Sequence, residues 1–188
     1  SYCQLVLDST PFYAESGGQT GDTGWIRMGD GSLAVTDTRK ENDLILHIVA
    51  DMPEEVFPDV DAVVDAPRRR EIAIHHTATH LLHAALRRVL GTHVAQKGSL
   101  VDPAGLRFDF SHMSKMTAEE IREVEAIVNA HIRRNIPVVI REMPRDEAIA
   151  LGAMALFGEK YGEVVRVVTI DPNFSVELCG GTHAGSTG

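Results

Sequence analysis

Two short stretches of this chain hold side chains that bind transition metals. One is His76-Thr77-Ala78-Thr79-His80, the other Cys179-Gly180-Gly181-Thr182-His183. In each, two ligand types stand four residues apart. On a helix that spacing puts His76 and His80 on one face, about one turn apart. In the second stretch two glycines permit the tight backbone that turns a Cys and a His toward a common point. Three imidazoles and a thiolate form a ligand set that suits Zn²⁺. Each half alone has a plainer reading, the first as a polar stripe on a solvated helix and the second as a glycine turn with a small buried thiol. Only a fold that joins positions so far apart can make one site of them.

The elements around these motifs follow from periodicity and punctuation. Residues 1–66 read as β, with short strand-forming runs at 4–7, 25–28, 33–38, 44–49 and 62–64 separated by Gly, Asp and Pro. Short strands and many turns suggest a small barrel. Its richest loop, Glu15 to Gly24, carries four glycines. They suit close approach to a ligand or another domain, and equally a hairpin needing positive φ. Asp65 and Pro67 mark the start of a helix through 68–90, with Ile74, Ala78, Leu81, Leu82, Ala85 and Val89 as its apolar stripe and Gly91 as its stop. His83 continues the stripe, which suits a group that supports the ligands from behind, but reads first as a surface histidine. Strands are expected at 93–101 and 106–110 around the turn Asp102-Pro103-Ala104-Gly105. A second helix opens with the capping box Thr117-Ala118-Glu119-Glu120 and ends near Asn135, directing Ile121, Val124, Ile127, Val128 and Ile132 inward. A strand at 138–141, a short helix at 145–156 and strands at 164–170 and 176–178 complete an α+β part with two long helices packed on an antiparallel sheet.

Composition narrows the function classes. The chain has 188 residues, 44% hydrophobic and 24% charged, which is globular usage. No run approaches the ~18 uncharged apolar residues of a membrane helix, so no membrane partner is expected. Two cysteines, Cys3 and Cys179, do not make a disulfide framework, and a reducing cytoplasm fits. A net charge of −9 argues against holding nucleic acid by bulk electrostatics. Arg68-Arg69-Arg70, Arg87-Arg88 and Arg133-Arg134 are local exceptions, readable as helix-end solvation or as a phosphate-contacting strip. The chain opens Ser1-Tyr2-Cys3, without a signal peptide or an initiator Met, as a piece of a longer protein would.

Together, His76-Thr-Ala-Thr-His80 with Leu81-Leu82-His83, Gln96-Lys97-Gly98-Ser99 and Cys179-Gly-Gly-Thr-His183 resemble the editing region of alanyl-tRNA synthetases. The stretch Phe12-Tyr13-Ala14-Glu15-Ser16-Gly17-Gly18-Gln19 resembles the barrel module of the same family. The two ligand motifs also occur in threonyl-tRNA synthetase editing domains. The Glu-Ser-Gly-Gly-Gln stretch and Gln96 favour the alanyl branch, which includes free-standing editing proteins. The resemblance implies a small N-terminal translation-type β-barrel (1–66) followed by an α+β editing domain (68–188), truncated at its C-terminus. It implies Zn²⁺ on His76, His80, Cys179 and His183, with Thr79 and Gln96 lining the pocket. The implied partners are the acceptor end of the alanine tRNA and the remaining synthetase domains, with Arg68, Arg69 and Arg70 as candidate tRNA contacts.

The reaction so implied is hydrolysis of the ester joining serine or glycine to the alanine tRNA. A near-isostere with one extra hydroxyl is poorly rejected by a size sieve, and a second hydrolytic site is the usual remedy. Zinc there would either activate water or anchor the substrate. Catalytic zinc usually keeps an open position, which would make His183 the displaceable ligand. No acidic residue stands beside either motif as an obvious general base, and Thr77 occupies the place where an HExxH protease carries its Glu. Two competing readings are a zinc-stabilised tRNA-binding module without catalysis and a zinc hydrolase of small esters or amides.

Overall fold

The structure, a computed structural model, describes residues 2–51, 58–155 and 162–188. The first five strands are β1 (Cys3–Leu5), β2 (Gly24–Met28), β3 (Gly31–Glu41), β4 (Leu44–Val49) and β5 (Asp61–Val64). They form one antiparallel sheet in the order β1-β4-β3-β2-β5. Alternation fixes its faces: in β2, Gly24 and Ile26 are buried and Trp25 and Arg27 exposed. Ile26, Val35, Val49 and Phe12 form the core on the inner face. Asn42 and Asp43, both at positive φ, make the two-residue β3–β4 hairpin turn that suits strand twist. Among the described residues β1 and β5 stand at the two edges of this sheet and are not paired with each other.

The sheet leads directly into α1 (Ala66–Leu90). Asp65 caps it by accepting the Arg68 N–H at 3.1 Å, proline stands in the first turn, and Gly91 ends it at φ 116°. β6 (Gln96–Asp102) and β7 (Gly105–Phe110) form a hairpin, its turn held by Asp102 Oδ1 accepting from the Ala104 and Gly105 N–H groups. α2 (Ala118–Arg133) begins with both bonds of the Thr117–Glu120 capping box. β8 (Val139–Pro144), α3 (Arg145–Ala150), β9 (Val164–Ile170) and β10 (Ser175–Leu178) come next, with the strands in the antiparallel order β10-β9-β8. No described helix is long and apolar enough to cross a membrane.

α1 is the organising element. It packs on β6, β7 and β10 and against α2. Ala85 and Leu86 of α1 share a core with Val124 of α2, Val94, Phe108 and Phe110. The α+β class is as expected, but the buried face of α1 is not a simple apolar stripe. Ile72, Leu81, Ala85 and Leu86 are buried together with His76, Thr77, Thr79, His80 and His83, whereas Ile74 is 42% exposed. The helix is covered on two sides, and one cover is polar loop rather than sheet. In α2, Val124 is buried but Ile121 is exposed, because α2 meets the body along one narrow line. α3 is shorter than the periodicity suggests, ending at Ala150; residues 156–161 lie outside the described ones.

Several contacts tie the N-terminal sheet to the rest of the chain, among them an ion pair and a backbone zip. The carboxylate of Asp22, fully buried, pairs with the Arg69 guanidinium, whose Nε lies 3.0 Å away. The loop before β2 is zipped to β6: Val101 N–H donates to Gly18 O at 2.8 Å and Thr20 N–H to Val101 O at 3.0 Å. Gly18 sits at φ +83° against the Ser99 backbone, where a Cβ would find no room.

Candidate metal centre

α1 presents His76 and His80 one turn apart, and the segment leaving β10 brings Cys179 and His183 to them. One ligand atom from each of the four lies within 4.8 Å of the others. Cys179 Sγ is 3.4 Å from His76 Nε2 and 3.4 Å from His183 Nε2. Zn–S and Zn–N bonds of about 2.3 and 2.05 Å at tetrahedral angles put S and N roughly 3.5 Å apart. The donor set and its spacing therefore fit zinc.

Each imidazole is held from behind. His76 Nδ1 is 2.7 Å from Gln19 Oε1, and His183 Nδ1 is 3.1 Å from Thr77 Oγ1. His80 Nδ1 faces Glu177 Oε2 at 3.8 Å, and the other Glu177 oxygen is 3.2 Å from His83 Nδ1. Outer partners of this kind orient ligating histidines and set their tautomers. Burial, reinforced by neighbouring His80, lowers the His76 pKa to about 3. Burial lowers His80 as well, and holds His183 far below the usual histidine range. The three rings are thus neutral, the form a metal requires. Burial pushes the Glu177 carboxyl up, but His80 and His83 facing it leave it below the ordinary range.

A cavity of about 320 Å³ opens on this cluster. His76, His80 and Cys179 form its floor, and Thr79, Gln96 and Arg166 stand in its walls. Thr79 Oγ1 donates to its own helix at His75 O, 2.8 Å away, which leaves its lone pairs to accept. Arg166 donates to Cys179 O at 2.6 Å. Tyr13 also lines the cavity, its phenol pushed up to about 12 by burial and by negative charge on the nearby Cys179 sulfur. A second cleft of about 690 Å³ lies on the opposite side of α1. His183 lines that cleft, not the first.

The structure thus brings together His76, His80, Cys179, His183, Thr79 and Gln96. It distributes the three arginines differently. Arg68 donates to Gly21 O at 2.8 Å and Arg69 pairs with Asp22, both half-buried and engaged within the protein, while Arg70 is exposed at the second cleft. Two functional candidates, Glu177 and Gln19, escape the sequence reading, and His83, only 5% exposed, takes the supporting place behind the ligands rather than the surface one. Its spacing of three from His80 already places it on the ligand face. Glu177 is an acidic residue beside the second motif after all, two positions before Cys179 and so on the same side of the strand. Gln19 has no such signal.

Comparison with known proteins agrees with this geometry. Residues 1–68 match the family described as tRNA synthetases class II (A). Residues 165–188 match the threonyl and alanyl tRNA synthetase second additional domain. The alanine–tRNA ligase of Cytophaga hutchinsonii is 59% identical over 186 residues, 98% of this chain and 21% of that protein. The enzymes of the same name from Salinibacter ruber and Dichelobacter nodosus are 55% and 57% identical over 98% of the chain, which covers 19% and 21% of them. The chain spans about a fifth of the length of the curated relatives it matches. With its two ligand motifs joined in one cluster and nearly every residue aligned to these ligases, the chain belongs to the alanyl-tRNA synthetase family.

Proposed function

We propose that this chain is the editing part of an alanine–tRNA ligase, hydrolysing serine and glycine from the alanine tRNA in a zinc-dependent reaction. Residues 1–66 are then the translation-type barrel module and residues 68–188 the editing domain. The observation that carries this reading is the four-ligand cluster on the floor of a cavity walled by Thr79 and Gln96. Zinc held by His76, His80, Cys179 and His183 would supply Lewis-acid chemistry at this site. Thr79 Oγ1 accepts from the amino acid, and the Gln96 amide donates or accepts. Neither titrates near neutral pH, so their work is binding and orientation. A hydroxyl on the amino acid satisfies a polar wall that alanine leaves unpaired, at about 1–3 kcal/mol per buried group. The natural partner is the tRNA acceptor end, presented by the rest of the synthetase in the cytoplasm.

The closed set of four protein donors also favours a second reading, a structural zinc in a tRNA-binding module. One experiment separates them. Zinc-loaded chain is expected to hydrolyse Ser-tRNA slowly, Ala-tRNA far less, and neither after chelation. A chain that holds zinc, folds and deacylates nothing is the structural module.

Single substitutions test the individual side chains. Thr79→Gly and Gln96→Ala are expected to keep zinc and to change the Ser-tRNA to Ala-tRNA hydrolysis ratio by roughly tenfold, the size of one buried polar contact. Gln96→Ala has the larger effect, since Thr79 is partly engaged by His75. Variants with the parent's rate and ratio would remove both residues from the site. Of the three arginines, we assign the tRNA contact to exposed Arg70. Arg70→Ala is expected to reduce the salt dependence of tRNA binding by roughly one counterion, measured as the slope of log affinity against log salt. An unchanged slope would leave it a solvated helix residue.

A further inference from the structure

Gln19 lies in the glycine-rich loop of the N-terminal sheet, and its side chain is fully buried. It touches both ligand motifs at once. Its Oε1 accepts the Thr182 backbone N–H at 3.0 Å and lies 2.7 Å from His76 Nδ1. Its Nε2 donates to Thr182 Oγ1 at 2.8 Å. The orientation of this amide is not arbitrary. A backbone N–H only donates, so the atom facing Thr182 N is the oxygen. The same oxygen then requires His76 to carry its proton on Nδ1. That leaves the Nε2 lone pair directed at the cluster, 3.4 Å from Cys179 Sγ.

We infer that Gln19 is a positioning residue of the metal centre: its side-chain oxygen fixes the tautomer of His76 and locks the Cys179–His183 turn against it. This rests on the metal reading above. The loop is braced for the task by the Ser16–Gln19 bridge and by its two backbone bonds to Val101. Gly181 lies so close that a Cβ on it would be 2.7 Å from Gln19 Oε1 and would collide with the His76 ring. Without the Gln19 acceptor, the Nδ1–H of His76 is buried unpaired. The ring then also gains access to the other neutral tautomer, whose protonated Nε2 is no ligand. The N-terminal sheet thereby contributes to metal affinity without supplying a ligand.

The test measures zinc affinity by competition with a chromophoric chelator, and the absorption spectrum of the cobalt-substituted chain. It compares the parent with Gln19→Leu and Gln19→Glu. Loss of such an outer partner typically costs 10–100-fold in metal affinity. Gln19→Leu is expected to weaken zinc by about that factor and to shift the cobalt bands. Gln19→Glu is expected to bind within a few-fold of the parent or tighter, because its carboxylate accepts the same Nδ1–H and Thr182 Oγ1 can turn to donate. Gln19→Leu with the parent's affinity and spectrum overturns the assignment while leaving the metal site standing. If Gln19→Leu does not fold, as judged by circular dichroism, Gln19→Glu decides: weakening beyond tenfold overturns it. A parent chain that holds no zinc defeats the metal reading and this inference together.

Discussion

Cys179→Ala combined with His80→Ala is expected to take zinc from about one ion per chain, as in mononuclear sites of this type, to none. His76 and His183 would remain, two imidazoles from different parts of the chain. The lost thiolate is the one anionic donor of the set, and the second loss removes the HxxxH chelate. Metal analysis after dialysis gives the stoichiometry, and circular dichroism shows whether the fold survives. Deacylation of Ser-tRNA is expected to fall to the uncatalysed rate in the same variant. Full zinc occupancy would mean that these four residues are not the site, whatever their proximity.

Gly181→Ala is expected to disrupt the same centre without touching a ligand. An added Cβ would collide with the His76 ring and approach Gln19 Oε1 to 2.7 Å. Forced overpacking of this kind costs about 1–3 kcal/mol and is relieved only by moving neighbours. Here the neighbours are a ligand and the residue that orients it, so zinc affinity falls together with stability. The adjacent position is the control, since nothing lies within 4 Å of a Cβ on exposed Gly180. Gly180→Ala is expected to stay within about ±0.5 kcal/mol of the parent, as surface substitutions usually do. Denaturant midpoints and zinc titrations of the pair check both. Equal behaviour of the two variants would show that the Cys179–His183 turn relaxes freely and does not depend on its close approach to His76.

How much of this was legible in the sequence depends on what each residue announces by its type. Histidine and cysteine at i, i+4 announce metal chemistry, and the 76–80 and 179–183 motifs stand together in space as that chemistry requires. The helix limits were legible because Asp65, Pro67 and Gly91 act locally. His83 and Glu177 carry usable signals in their spacing from His80 and Cys179, but spacing alone does not tell a buried polar residue from a solvated one. Here strands cover His83, with Phe108 and Glu177 against its ring. Gln19 was out of reach, because a glutamine has no preferred role and its partners lie 57 and 163 positions away. The glycine loop could be recognised as one that permits close approach, but not what it approaches. Periodicity points Ile74 and Ile121 inward, and the packing leaves both at the surface. Periodicity gives a phase for a helix, not the width of the line along which it meets the body.

The wide separation of the two ligand motifs also matters to the chain as a polymer. An ion shared by His80 and Cys179 acts as a removable cross-link closing a loop of roughly 100 residues, a length for which the loop-entropy picture gives about 4.7 kcal/mol when the link is covalent. A coordination link differs from a disulfide in being subject to mass action. Free metal at about a hundred times its dissociation constant adds about 2.7 kcal/mol, and a chelator removes it. If the proposed site holds zinc, the melting temperature is expected to depend on free zinc in the buffer rather than to be a constant of the sequence.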